Sequence, residues 1–279
     1  MCGSISKSSP NRMLELALEK GYNNLMKIIT LNTWGGRAGE ERLLDFFNTH
    51  KDDTDIFCLQ EIWSAPHLKL DGHNAGGLPI DHSNIMTHGM QDISKALPNH
   101  TRYFRPHFGD NYGLMMMVNK DFKVIAEGEV FVYKEKGHIP EGDVGNHARN
   151  IQYVTLLIDD KPVTVVNFHG LWNGKGKTDT EDRLKQSRNI VKFVEALNGE
   201  CILCGDFNIL PDTESIKIIE DSGFSNLIKK YNITSTRTSF YEKPNKFADY
   251  VFITNGVTEK KFEVLPDEVS DHSAILIEV

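Results

Sequence analysis

Residues 201–208 read Cys-Ile-Leu-Cys-Gly-Asp-Phe-Asn, an apolar run that stops at a glycine and is followed by an acid and an amide. The apolar part predicts a strand, with Asp206 and Asn208 at its end. Because side chains alternate along an extended backbone, the two polar heads share one face. Such a pair suits metal binding or the activation of a water, although a simple Asp-Phe-Asn turn explains it equally well when taken alone.

The composition of the 279-residue chain is ordinary for a globular protein, with 39% hydrophobic and 25% charged residues. A formal net charge of -8 argues against a surface that binds polyanions over its whole extent, so a nucleic-acid substrate would need a local basic groove. The sequence has too few cysteines for a secreted disulfide scaffold, and no apolar run is long enough to span a bilayer. Because the start also lacks the apolar core of a signal peptide, a cytoplasmic location is expected.

Strands and helices alternate along the chain without a proline-rich linker, which predicts one α/β domain over residues 26–279. Residues 1–25 are expected to form an N-terminal extension that contains a short helix from Asn11 to Lys20. The clearest later helices are predicted at 40–50 and 179–197. The predicted strands cover residues 26–31, 55–59, 101–105, 112–118, 122–133, 148–158, 163–168, 201–204, 247–253 and 273–279.

Polar residues follow the first two predicted strands. Asn32 ends the first strand before Thr-Trp-Gly-Gly, where it is either a functional residue or a turn residue. Glu61 ends the second strand between apolar neighbours. A carboxylate in such a position is costly without a partner, so Glu61 is a candidate metal ligand, with a structural salt bridge as the alternative.

Several later features carry alternatives of their own. His169 ends a predicted buried strand, where a structural role competes with a catalytic one. Residues 173–178, Asn-Gly-Lys-Gly-Lys-Thr, fail as a P-loop because the first glycine of the required spacing would fall at Leu171. Their lysines either attract a phosphate or are solvated. Residues 64–99 lack a metal-ligand spacing among their histidines and predict an irregular insertion that shapes substrate choice.

Polar residues at so many strand ends are better explained by one shared cleft above a sheet than by unrelated buried polar residues. The assembled set is Asn32, Glu61, Arg149, His169, Asp206, Asn208, Asp249, Asp271 and His272.

Five motifs occur in a fixed order: Leu31-Asn32-Thr33-Trp34, Leu59-Gln60-Glu61, the strand-terminal His169, Gly205-Asp206-Phe207-Asn208 and Ser270-Asp271-His272, with Asp249 before the last. Their order resembles the endonuclease/exonuclease/phosphatase superfamily. The resemblance covers roughly residues 26–279. It implies an α/β (α+β) fold, a deoxyribonuclease I-like four-layer αββα sandwich whose loops form the site at one edge.

The same resemblance implies roles for the candidate residues. Glu61, with Asn32 and Asp271, would hold Mg²⁺, with Mn²⁺ as the alternative metal. Asp206 would orient or deprotonate the attacking water, and Asn208 would hold that water or a phosphate oxygen.

Phosphate binding is the second part of the implied site. His272, polarised by Asp249, would stabilise the phosphate as an imidazolium, because a neighbouring carboxylate favours the charged ring. His169 and Arg149 would contact the phosphate and assist the leaving oxygen.

The expected activity is metal-dependent hydrolysis of a phosphodiester by in-line attack of water, on nucleic acid or a nucleotide-like diester bound through a local site. A phosphomonoesterase and a sphingomyelinase or phospholipase C-like hydrolase are the enzymatic alternatives. A catalytically inactive binding module of the same fold is the non-enzymatic one. No protein partner is predicted.

Overall fold

The structure is a computed structural model that describes residues 25–75 and 77–279. The predicted helix from Asn11 to Lys20 lies outside the described residues. It and the N-terminal extension therefore stay predictions.

The described strands follow the alternating apolar runs of the sequence. They are β1 (Lys27–Asn32), β2 (Ile56–Trp63), β3 (Asn74–Ala75), β4 (Leu78–Pro79), β5 (His100–Phe108), β6 (Tyr112–Asn119), β7 (Val124–Tyr133), β8 (Arg149–Ile158), β9 (Lys161–His169), β10 (Glu200–Asp206), β11 (Phe224–Asn226), β12 (Asp249–Thr254), β13 (Lys261–Val264) and β14 (Ile275–Glu278).

The described helices are α1 (Glu40–His50), α2 (Gly89–Ala96), α3 (Glu181–Glu195), α4 (Glu214–Asp221) and α5 (Leu227–Lys230). Thr180 caps α3 because its hydroxyl accepts a hydrogen bond from the Arg183 N–H. Over the described residues, every helix is too short or too polar to cross a membrane.

Two six-stranded mixed sheets form the centre of the fold. The first has the strand order β13-β14-β1-β2-β6-β5, and the second has the order β11-β12-β10-β9-β8-β7. The parallel pair β1 and β2 lies in the middle of the first sheet, and the parallel pair β9 and β10 lies in the middle of the second. Because these four strands are central in their sheets, their carboxyl ends are the natural place for a site.

Alternation along the strands divides the core into layers. Ile28 of β1 joins the cluster between the sheets, whereas Ile29 packs with Phe46 and Phe47 of α1 on the outer face of the first sheet. On the outer face of the second sheet, α3 packs on β7 and against α4, which contributes Ile216 to the core. The predicted four-layer αββα sandwich is confirmed.

The helix α3 differs from its predicted inner stripe. Ile190 is buried as expected, but Arg183 and Gln186 are also buried on this face. The Arg183 guanidinium donates to the backbone oxygens of Leu171, Gly176 and Thr178. This helix therefore fixes the Gly-Lys-Gly-Lys loop in place with a buried cation rather than with an apolar side chain alone.

The insertion at residues 64–99 contains the β3–β4 hairpin and α2. Trp63, Leu70, Ile80, Ile85 and Val144 belong to a small separate core beneath it. Asp143 accepts a hydrogen bond from the Gly77 N–H, at 2.7 Å, which joins the insertion to the loop before β8. The influence of this insertion on substrate choice stays a prediction.

The glycine of the opening motif occupies a position that excludes a side chain. Gly205 has φ +134°, and a Cβ there would lie 2.0 Å from the backbone oxygen of Phe168 in β9. We expect Gly205→Ala to lower the free energy of unfolding by about 3 kcal/mol or more, because it combines backbone strain with a clash against backbone. Urea denaturation measures this change.

Gly223→Ala is the matched control for that experiment. Gly223 also has a positive φ, +97°, but nothing lies within 4 Å of its Cβ position. Only the backbone strain of about 1 kcal/mol is therefore expected. Equal losses in the two variants would show that close packing of β9 on β10 does not constrain Gly205.

Candidate active site

The ends of four central strands bring the candidate residues together. Asn32 ends β1, His169 ends β9 and Asp206 ends β10, while Glu61 lies two residues before the end of β2. In the second sheet, Asp206 is paired in register with His169 on one side and with Asp249 on the other. Strand pairing alone therefore places three candidate side chains next to one another.

A β-bulge in β2 sets the position of Glu61. Leu59 pairs with Met115 and Ile62 with Gly113, so that two residues, Gln60 and Glu61, lie opposite one residue of β6. Glu61 has φ +61°, which is uncommon for a residue with a side chain. The Gln60 side chain points into the core and donates to Asn167 Oδ1 of the second sheet at 2.7 Å. The bulge thus anchors Gln60 beneath the site and places Glu61 in it.

The Asn32 side chain joins the two sheets. Its Nδ2 donates to Asp206 Oδ2 at 2.9 Å and to Glu61 Oε1 at 3.1 Å, and its Oδ1 accepts from the Trp34 N–H at 2.9 Å. One amide therefore holds two carboxylates from opposite sheets within a few ångströms of each other. Burial raises the pKa of Glu61, and the nearby Arg37 guanidinium and the Asn32 amide only partly oppose this shift.

Two histidines face Asp206. The Nε2 atoms of His169 and His272 lie 3.7 and 3.6 Å from Asp206 Oδ2, and His169 Nε2 lies 3.9 Å from Glu61 Oε1. Burial, with the Arg149 charge as the next cause, lowers the pKa of His169 well below its usual value. Burial therefore disfavours the protonated form of the His169 ring, although two carboxylates lie within 4 Å of its Nε2.

Asp249 and His272 form a buried pair. His272 Nδ1 lies 2.8 and 2.9 Å from the two Asp249 oxygens, and Asp249 Oδ2 also accepts from the Thr236 hydroxyl at 2.9 Å. Burial lowers the pKa of His272 to about 4, with Arg237 as a further cause, and burial raises the pKa of Asp249 to about 6. The role of His272 as an imidazolium that binds phosphate stays a prediction, because the burial that lowers its pKa acts here without a bound anion.

Asp271 lies beside this pair and is held by a cation. Its Oδ2 is 2.7 Å from Arg237 Nη1, and its Oδ1 is 3.7 Å from His272 Nε2. Oδ1 is buried and lacks a hydrogen-bond partner among the described residues. Burial raises the pKa of Asp271, and the Glu61 charge is among the causes that raise it further.

Arg149 begins β8 and is 2% exposed. Its Nη2 donates to the Gly145 oxygen at 3.1 Å, while its Nε and Nη1 are buried without a hydrogen-bond partner among the described residues. Burial lowers the pKa of Arg149, whereas Glu61 and Asp206 are among the groups that raise it. A buried guanidinium with free donors is thus available to an anion at this site.

Asn208 lies on the Asp206 side of the site. Its N–H donates to Asp206 Oδ1 at 2.7 Å, and its Nδ2 lies 3.4 Å from the Gly170 oxygen. Its φ of +53° is one that asparagine tolerates better than most residues. The Asp-Phe-Asn turn is therefore present, and it is what orients the Asp206 carboxylate.

Sequence reasoning missed Tyr112, His107 and His147, which lie close to the Arg149 side of the site. Tyr112 is near enough for the Glu61 charge to add to the effect of burial, which raises its pKa well above its usual value. The His107 ring stacks on His147 at 4.9 Å and lies 5.9 Å from His169. Tyr112 begins a predicted strand, but only the antiparallel pairing of β6 with β2 brings that end to Glu61.

The donor set fits a hard divalent cation. Glu61, Asp206 and Asp271 supply carboxylate oxygens, and burial raises the pKa values of Glu61 and Asp271 despite the nearby Arg37 and Arg237 guanidinium groups. Among the described residues, one acid-histidine group has ligand atoms within 4.8 Å of one another, and it consists of Asp206, Asp249 and His272. Because the Asp249 oxygens already accept from His272 and Thr236, Glu61 and Asp271 are the freer ligands.

A two-sheet sandwich with acids, amides and histidines at the carboxyl ends of its central strands defines a phosphoric ester hydrolase that depends on a metal. A family model described as Endonuclease/Exonuclease/phosphatase family matches residues 29–272. The chain belongs to this family. A search of the curated proteins gives no significant match.

Solved structures with the same fold are distant in sequence. A mannosyl-6-phosphatase from Bacteroides thetaiotaomicron has 16% identity and a TM-score of 0.68, over 91% of this chain and 99% of its own. An endonuclease/exonuclease/phosphatase family protein from Leptotrichia buccalis has 20% identity and a TM-score of 0.64, over 90% of this chain and 98% of its own. A humanized D. rerio TDP2 has 14% identity and a TM-score of 0.62, over 92% of this chain and 99% of its own.

Proposed function

We propose that residues 26–279 form a Mg²⁺-dependent phosphodiesterase that acts on nucleic acid or a nucleotide-like diester. The observation that carries the proposal is the meeting of the Glu61 and Asp206 carboxylates at the Asn32 amide, near the buried Arg149 guanidinium, whose Nε and Nη1 have no hydrogen-bond partner among the described residues. A metal ion and a phosphate are the two groups that would complete such a site together.

Glu61 and Asp271, with the Asn32 side chain beside them, would hold the metal. When bound, a divalent cation neutralises the negative charge that develops on the phosphate oxygens during hydrolysis. Mg²⁺ is the first expectation because the available ligands are hard oxygen atoms, and Mn²⁺ is the alternative. Asn32 also keeps Glu61 and Asp206 together through its two donated hydrogen bonds.

Asp206 would orient the attacking water and accept its proton. Its Oδ2 lies 3.6 Å from His272 Nε2, so a water bound beside these two atoms would donate its proton to Asp206. The Asn208 N–H holds the other Asp206 oxygen, and its side-chain amide would contact the water or a phosphate oxygen. Asp249 fixes the His272 ring through Nδ1.

Arg149, His169 and His272 would contact the phosphate. A phosphate near Arg149 would give its unpaired N–H groups strong charge-assisted hydrogen bonds. It would also favour protonation of His169 and His272, whose pKa values burial lowers in the absence of an anion. The neutral imidazoles would then become donors to the phosphate and to the leaving oxygen only when substrate is present.

A phosphomonoesterase is the second candidate. The fold similarity to the mannosyl-6-phosphatase favours it, since the structural match to that protein covers 91% of this chain. A sphingomyelinase or phospholipase C-like hydrolase is a weaker alternative, because no described feature singles out a lipid.

Incubation with defined phosphoesters tests the proposal. We expect the purified protein to hydrolyse bis(p-nitrophenyl) phosphate and single-stranded DNA or RNA with Mg²⁺, and to lose this turnover in excess EDTA. Cleaved diester without inorganic phosphate identifies a phosphodiesterase, whereas inorganic phosphate released from mannose 6-phosphate or another monoester identifies the alternative. A failure to turn over any of a broad panel of diesters contradicts the proposal.

A further inference from the structure

The Gly-Lys-Gly-Lys segment places two lysines in opposite environments. Lys175 is exposed, and its N–H only closes a turn onto Asn173. Lys177, two residues later, is 4% exposed. Buried lysines are rare unless they are paired, so Lys177 needs an explanation that Lys175 does not.

The Lys177 ammonium has a carbonyl and an aromatic ring as its neighbours. Nζ donates to the Phe247 oxygen at 2.7 Å and lies 5.0 Å from the centre of the Tyr241 ring. It forms no ion pair with any residue of the described chain. An ammonium group has three donors, so this buried charge has donor capacity left over.

Two further cations surround the same ring. The Arg237 guanidinium lies 4.2 Å from the centre of the Tyr241 ring, and Lys246 Nζ lies 5.4 Å from the same centre. Lys246 Nζ also donates a hydrogen bond to the backbone oxygen of Tyr241. The Asp271 carboxylate balances Arg237, but the buried Arg237 Nε has no hydrogen-bond partner in the described chain. Asp271 thus pairs with Arg237, whereas the ammonium groups of Lys177 and Lys246 have no ion-pair partner among the described residues.

This cluster borders the hydrolytic centre. Phe247, whose oxygen holds Lys177, lies two residues before Asp249, and Arg237 forms a β-bridge with His272. Asp206, Asp249 and Asp271 are close enough to raise the pKa of Lys177, although burial and Arg237 lower it to about 8. The ammonium therefore stays charged near pH 7 and would be stabilised by a further anion.

We infer that Lys177, Arg237 and Lys246 form a second anion subsite, which binds a phosphate group adjacent to the scissile one. The inference rests on the proposed function and adds a substrate class to it, namely phosphoesters that carry a second phosphate. The groups around the Tyr241 ring are cationic: Arg237, Lys177 and Lys246 lie 4.2, 5.0 and 5.4 Å from its centre. The cluster therefore selects charge and not an aromatic group.

Matched substrate pairs test this inference. One pair is TpT and the same dinucleotide with a terminal phosphate, and the other is glucose 1-phosphate and glucose 1,6-bisphosphate, all at fixed free Mg²⁺. We expect a higher kcat/KM for the member with the second phosphate. The pair that shows the preference tells whether a nucleic-acid backbone or a small sugar phosphate supplies that group.

Lys177→Met and Lys246→Met should each reduce this preference about 10- to 100-fold, which is the contribution of a hydrogen bond to a charged group. Lys175→Met, in the same segment, should leave the ratio of the two kcat/KM values unchanged. Because Lys177 is buried, thermal unfolding of each variant accompanies the kinetics, and Lys246→Met provides the test at a less buried position.

Two results would overturn the inference. One is a preference ratio that changes less than twofold in both variants, and the other is an equal loss on both members of a pair, which would indicate a structural role. Calorimetric binding of methylenediphosphonate keeps the test separate from catalysis. Binding that weakens in Lys177→Met but not in Lys175→Met supports the subsite even if no hydrolysis is found, and identical binding by both variants contradicts it.

Discussion

Asp206→Asn should lower kcat on any substrate of this protein by about 10²- to 10⁴-fold, the contribution expected of a general base. An amide cannot accept the proton of the attacking water, and it removes a charge from the centre of the site. The substitution preserves the shape of the side chain, and an amide oxygen can still accept from the Asn208 N–H. Steady-state kinetics on a p-nitrophenyl ester measures the loss.

The stability of the same variant separates a catalytic role from a structural one. Asp206 adds to the pKa increase of the buried Glu61, so the two charges repel each other. Without metal, Asp206→Asn should therefore unfold within a few degrees of the unmodified protein, because relief of this repulsion offsets the loss of the hydrogen bond that Asn32 donates to Asp206. Asp212→Asn, at an exposed position six residues later, is the control and should retain full activity. A variant that loses activity only because it unfolds would contradict the role of Asp206.

The layered fold could be predicted from sequence because local patterns determine it. Alternation in β1 separates Ile28 from Ile29 and so defines two apolar layers on one sheet. Polar residues at strand ends, such as Asn32 and Asp206, indicated the edge where the site lies. These signals need no knowledge of strand order.

Other parts of the site depend on tertiary structure and have no such signal. The bulge that turns Glu61 into the site becomes visible only from the pairing of β2 with β6. Arg237, Tyr241 and Lys246 come from a segment rich in Ser, Thr and Lys, where periodicity is absent. Burial also lowers the pKa of His272 although an acid lies beside its ring, and sequence spacing does not reveal that burial.

Glu61→Gln should raise the Mg²⁺ concentration needed for half-maximal activity by about 10- to 100-fold, since a neutral amide replaces one of the charged ligands. Burial raises the pKa of this carboxyl and Arg37 and Asn32 only partly oppose the shift, so a bound cation would further stabilise the ionised form. Calorimetric titration with Mg²⁺ in the absence of substrate gives a readout that does not depend on turnover. Excess Mg²⁺ should restore part of the activity.

Glu41→Gln on the exposed face of α1 makes the same chemical change away from the site and should leave the Mg²⁺ dependence unaltered. If Glu61 were only a structural partner of Arg37, which lies 3.9 Å away, Glu61→Gln would change thermal stability without changing Mg²⁺ binding. A shift in Mg²⁺ affinity with unchanged unfolding temperature in the metal-free protein assigns Glu61 to the cation. A change in unfolding temperature with unchanged Mg²⁺ affinity would instead indicate that the metal binds at the group of Asp206, Asp249 and His272.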